Sequence, residues 1–155
     1  MRMHRETRLL PYIPQQVFEL VADVEKYPLF LPWCTACRIN RHESDTVFIA
    51  DLAMGFKMVR EKFTSRVTLD PGKAVKVEHL DGPFRHLVNT WTFKPAVTSS
   101  GSPATELEFY IEFEFRSKLL QSIIGVVFEE AVRRMVAAFE ARAAVLYAST
   151  ASPVS

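Results

Sequence analysis

Trp33-Cys34-Thr35-Ala36-Cys37 is the stretch of this chain whose residue types most readily suggest chemistry. Two thiols three positions apart behind a tryptophan resemble a dithiol redox centre, whose first sulfur is kept as thiolate by a helix N-terminus. The residues that follow, Arg38-Ile39-Asn40-Arg41-His42, alternate as a strand does and have no helical face, so redox chemistry is not expected. A structural zinc site asks for four ligands. There is no second cysteine pair, and His4, His42, His79 and His86 are scattered, so no metal is expected. Nucleophilic catalysis requires a nucleophile, a base and an orienting group that converge, and no such set is identifiable. His79 and His86 flank the Asp81-Gly82-Pro83 turn and are expected to be solvated. Glu61 shares the strand phase of Val59, Phe63 and Val67, which would put a carboxylate on a dry face. Either a bulge or a partner such as Arg60 accommodates it, or it anchors the polar end of a ligand. The expectation is a protein that binds and does no covalent chemistry.

The elements that must position these residues follow from periodicity. A short strand over 5–10 gives way at Pro11 and Pro14 to a helix over 15–24, whose Val17, Leu20, Val21 and Val24 fall on one face. Segments 38–43, 46–54, 57–69, 74–80, 87–93 and 106–116 alternate or carry β-formers, with turn residues between them, and predict an antiparallel meander. The last of these sorts cleanly, with Leu107, Phe109, Ile111, Phe113 and Phe115 on one face and Glu106, Glu108, Tyr110, Glu112 and Glu114 on the other. The dry face needs a large cover, and the helical spacing of Leu120, Ile124, Val127, Phe128, Ala131, Met135 and Phe139 within 119–147 supplies one. The fold class is therefore α+β, as one domain over 1–148 with a small, polar, fraying tail over 149–155. For 155 residues, a hydrophobic fraction of 48% with 12 Phe is generous, and a formal charge of +1 offers no field for DNA. An apolar partner is indicated. No apolar run reaches the roughly 18 residues that cross a bilayer. The first residues pass straight into an alternating segment, and the two cysteines suit a reducing compartment, so a bacterial-type cytoplasm is the expected setting.

One string is more specific than these patterns. Residues 21–34, VADVEKYPLFLPWC, resemble the signature segment of the coenzyme Q-binding START-like proteins, a family that includes the bacterial ribosome-association toxin and lies within the polyketide-cyclase-like group. The resemblance continues through Asp51-Leu52-Ala53-Met54-Gly55-Phe56, through Leu80-Asp81-Gly82-Pro83-Phe84 with Leu87, Trp91 and Phe93, and into the final helix, covering about residues 3–147. It implies a helix-grip fold, in which a curved antiparallel sheet wraps around the long C-terminal helix and leaves a cavity between them. It also implies a carrier or chaperone for a polyisoprenoid, ubiquinone-like quinone, supporting respiration or quinone biosynthesis with peripheral contact at the inner membrane. The residues expected to meet the ligand are Tyr27, Leu29, Phe30, Trp33, Leu52, Met54, Phe56, Trp91, Phe109, Phe113, Ile124 and Phe128. Met54-Gly55-Phe56 reads as a tight strand-to-strand turn that either packs against segment 27–33 or forms the lip of the cavity with it. Two other readings stand beside this one. The first is a ribosome-directed inhibitor, for which Arg38, Arg41, Lys57, Arg60, Lys62 and Arg66 would supply basic groups, and the second is a cyclase or aromatase-like enzyme.

Overall fold

The computed structural model describes residues 1–56 and 59–151, the side chains of Phe56 and of residues 148–151 excepted. Seven strands form one antiparallel sheet: β1 Arg2–Leu10, β2 Cys34–His42, β3 Val47–Phe56, β4 Val59–Asp70, β5 Ala74–Asp81, β6 Phe84–Val97 and β7 Pro103–Phe115. Their spatial order is β1-β7-β6-β5-β4-β3-β2. Strands β2 to β7 are therefore a simple meander, and β1 closes onto the last strand rather than onto its sequence neighbour. The link between β1 and β2 has to travel from one edge to the other, and it does so as helix α1, Pro14–Ala22, followed by a 3₁₀ helix, Val24–Leu29. Pro14 opens α1, where its fixed φ and missing N–H do no harm.

Register shifts bend the sheet between Cys34 and Ala36, Ile39 and Arg41, Thr64 and Ser65, and Phe84 and His86. At the β5–β6 turn Gly82 has φ 138°, and a Cβ there would lie 2.6 Å from that of Phe63. Only glycine lets the chain turn that close to β4.

Helix α2, Lys118–Ala151, lies in the resulting trough and at 34 residues is about 51 Å long. It runs past the end expected at residue 147, while residues 152–155 lie outside the description. Its C-terminal half is fastened: the Tyr147 hydroxyl donates to the Gln16 carbonyl at 3.0 Å, and the ring sits 5.8 Å from that of Tyr12. Beneath α1 the core is dense, with Val17 and Val21 buried and Phe18 edge-on to Phe93 at 6.0 Å.

Strand β1 carries a polar seam that its alternation did not suggest. His4, Glu6 and Arg8 face α2: His4 Nε2 lies 3.0 Å from Glu6, and Arg8 bonds both Glu6 at 2.6 Å and Glu140 of α2 at 2.7 Å. Half-buried charges persist there because each is paired. On α2, Arg133 and Arg134 both reach Glu130, at 3.4 and 3.1 Å.

Candidate functional site

Between the concave sheet face and the N-terminal half of α2 lies a cavity of about 250 Å³. Two aromatic contacts hold it open. Phe128 rests on Phe113 at 4.7 Å and Phe139 rests on Trp91 at 4.7 Å, so α2 is propped off the sheet at points three helical turns apart. Small side chains, Ala50, Ser65 and Ala131, line the space between the props and leave it unfilled. Phe139 also meets Tyr27 and Phe30, each at 5.2 Å, which binds the 3₁₀ segment into the same wall. Tyr27 is held by its hydroxyl, which donates to the Val21 carbonyl, and burial pushes its pKa up.

Trp33 is the described non-glycine residue with positive φ, 68°. An L-residue in the left-handed region costs roughly 1–2 kcal/mol. The conformation brings Trp33 into the wall, and its carbonyl accepts the Gly55 N–H at 2.8 Å, tying the segment before β2 to β3. Trp33, Met54, Ile124 and Val127 are among the half-buried members of the lining.

Eight of the twelve expected ligand residues line the cavity: Tyr27, Trp33, Leu52, Met54, Trp91, Phe113, Ile124 and Phe128. Three do not, and one is not described. Leu29, at the last turn of the 3₁₀ helix, points away from the wall and is 67% exposed. Phe30 packs behind the lining, under the Arg142 guanidinium at 5.6 Å. Phe109 is wholly buried core beneath Trp91, 4.7 Å away. The Phe56 side chain lies outside the described residues. The expected turn at Gly55 is also displaced, since Gly55 pairs with Arg60 and the β3–β4 ladder continues to Phe56 and Val59. Sequence reasoning missed Phe63, Ser65, Phe84, Asn89 and Met135 as lining residues. Ser65 had a signal, because it shares the inward phase of Phe63 and Val67, where a small polar residue is uncommon.

The chemistry available is sparse. Cys34 and Cys37 border the cavity from an edge strand, not from a helix start, and burial pushes their thiols up to about 11 and about 12. Those are poor nucleophiles at neutral pH. His79 departs from expectation: it is not solvated but packs 5.3 Å from Phe84 and 6.4 Å from Phe63, and burial lowers its pKa. His86 pairs with Glu112 at 2.8 Å on the outer face. Glu61 keeps the inward phase opposite Met54, with no bulge in β3–β4 to turn it out, yet it does not line the cavity. Among the described residues no three His, Cys, Asp or Glu side chains converge as a metal site would require. Among the described residues no charged side chain lines the cavity. What the arrangement can do is hold a neutral apolar molecule.

A curved seven-stranded sheet gripping one long helix around such a cavity is the START-like helix-grip fold. The family described as polyketide cyclase/dehydrase and lipid transport matches residues 10–140, and the chain belongs to it. The ribosome association toxin RatA of Rickettsia prowazekii is 40% identical over 143 residues, covering 90% of this chain and 94% of that protein. The mitochondrial coenzyme Q-binding protein COQ10 homolog B of Xenopus laevis is 34% identical over 154 residues, covering 98% of this chain and 62% of that protein. The solution structure of an 18 kDa Caulobacter crescentus protein superposes with a TM-score of 0.76 at 40% identity, covering 96% of this chain and 99% of that one.

Proposed function

We propose that this protein binds a neutral isoprenoid lipid, of which a ubiquinone-like quinone is the leading example, and carries it without covalent chemistry. The observation that carries this reading is a roofed cavity with aromatic walls and, among the described residues, no charged side chain in its lining. Each CH2 equivalent taken from water gains about 0.8 kcal/mol, so such a space favours a ring or a length of isoprenoid chain. At about 250 Å³ it is smaller than the roughly 300–1,000 Å³ that encloses a whole drug-sized ligand, so a long tail leaves through the mouth.

Outside that mouth α2 offers an apolar path. Residues 119–128 contain no charged side chain, and Leu119 and Val126 are 70% and 85% exposed. A stripe of that kind suits transient contact with a bilayer. Among the described residues no helix is long and apolar enough to cross a membrane, so the contact envisaged is peripheral. The cytoplasmic face of a bacterial-type membrane, in support of respiration or quinone synthesis, is the setting that fits this role. A non-catalytic role is supported by the raised thiols.

A second reading, a ribosome-directed activity, draws support from the 40% identity with the Rickettsia protein. The outward arginines of β2 and β4 give it less. Arg38 is engaged by Asp51 at 3.4 Å, and Arg41 and Arg66 by Glu43 at 3.8 and 3.0 Å, leaving their charge largely countered.

The chain's two tryptophans, Trp33 and Trp91, both line the cavity, so quinone binding has a built-in reporter. Saturable quenching of intrinsic fluorescence by a short-tailed ubiquinone is expected. Absence of quenching, with salt-sensitive co-sedimentation on ribosomes, would favour the second reading.

A further inference from the structure

Two side chains that line the cavity, Ser65 and Asn89, carry hydrogen-bonding groups of different standing. Asn89 is committed to the wall: its Nδ2 donates to the Tyr110 carbonyl at 2.9 Å, and its Oδ1 accepts from Trp91 Nε1 at 2.9 Å. Ser65 is not. It is 4% exposed, and its Oγ is bonded by no protein group. Its direct partner across the β4–β5 ladder is His79, on the same inward face, and the His79 Nε2 is likewise buried without a protein partner. Cross-strand neighbours hold their Cβ atoms roughly 4.5–5.5 Å apart. Ser65 is therefore an unsatisfied polar group in a nearly apolar lining, and His79, which does not line the cavity, packs behind it against the Phe63 and Phe84 rings. Buried polar groups in native proteins are normally satisfied, and one left open in the wall of a binding space indicates what the space receives.

We propose that Ser65, with His79 behind it outside the lining, receives the head group of the ligand, and that this head group is neutral and bears oxygen. A serine hydroxyl both donates and accepts, so Ser65 can meet a carbonyl, a methoxy or a hydroxyl group. A carboxylate or phosphate would enter without a countercharge from the described lining, in which there is no Lys, Arg or His. His79 does not supply that charge near neutral pH, because burial and the nearby Arg116 hold its pKa down. The selection made here is thus for an oxygenated ring over a bare hydrocarbon, and for either over an anionic lipid.

This inference rests on the carrier reading, and the experiment separates the two. Binding of decylubiquinone is followed by tryptophan quenching in the native protein, Ser65→Ala and His79→Phe, with decylbenzene and 4-decylbenzoate as competitors. Loss of one hydrogen bond is expected to weaken decylubiquinone about five- to tenfold in Ser65→Ala, with a change in the same direction in His79→Phe. Decylbenzene should compete equally in all three proteins, showing the cavity intact, and 4-decylbenzoate at least about tenfold less well. Native-like decylubiquinone affinity in Ser65→Ala, or competition by the benzoate equal to that of decylbenzene, would overturn the head-group assignment while leaving the carrier reading in place. If neither decylubiquinone nor decylbenzene bound the native protein, both would fall.

Discussion

Val126→Asp puts one carboxylate into the exposed stripe that α2 carries beside the cavity mouth. Val126 is 85% exposed and lies outside the core, so the substitution should change stability by no more than about 0.5 kcal/mol. Together with Leu119 and Ile123 it presents about two side chains' worth of apolar surface to solvent. Full removal of that surface from water would gain roughly 3–6 kcal/mol, at about 1.5–3 kcal/mol for each side chain, and a shallow insertion about half as much. The aspartate forfeits the valine's share and adds a charge that resists desolvation, together at least about 1.4 kcal/mol, which is a tenfold fall in partitioning. Flotation with phosphatidylcholine vesicles measures it. The control is Val145→Asp, since Val145 is 71% exposed on the same helix but far from its start at Lys118. Val126→Asp should stay with the free protein while native and Val145→Asp float. If both variants floated as the native protein does, or both failed alike, the stripe would not be the contact.

Ala131→Phe fills the space between the Phe128 and Phe139 props, and is expected to abolish quinone quenching while leaving the Tm unchanged or raised; retained quenching would place the ligand elsewhere. Cys34 should alkylate at pH 7 about a hundredfold more slowly than an ordinary thiol, because burial moves its pKa from 9.0 to about 11, and fast iodoacetamide labelling would reopen the dithiol reading. His79 titrates below its ordinary 6.5, chiefly through burial, so the unfolded chain binds that proton more readily than the folded one. Stability should accordingly fall as the pH drops below about 6.5, and His79→Phe should flatten that part of the profile of urea midpoints against pH. An unchanged slope would contradict the buried, neutral imidazole.

The strands were legible because one face of each is wet. In β7 the alternation of Leu107, Phe109, Ile111, Phe113 and Phe115 with charged residues leaves no doubt about which side faces in. The same alternation cannot say which inward aromatic borders empty space. Phe109 and Phe113 share a phase and a residue type, yet one is core and the other is cavity wall, because the props on α2 fall at Phe128 and Phe139. The string 27–33 announced a buried segment through its prolines and large apolar residues, but not its rotation. The 3₁₀ helix turns Leu29 outward while Tyr27 goes in. Glu61 attracted notice as a charge in an inward phase, whereas Ser65, four residues on in that phase, drew none because a lone serine is unremarked in sequence. Its meaning arises only when β5 brings His79 opposite it. The β1 seam needed tertiary knowledge of another kind, since Arg8 finds Glu140 across 132 positions of chain.

Occupancy of the cavity is the most direct measurement. The native protein and Ala131→Phe, purified without detergent and incubated with vesicles containing ubiquinone, would be re-isolated, extracted with organic solvent and analysed by mass spectrometry. Near-stoichiometric quinone in the native extract and little in that of Ala131→Phe is the expected result. An empty native extract, or equal quinone in both, would contradict a carrier that holds its cargo between the sheet and α2.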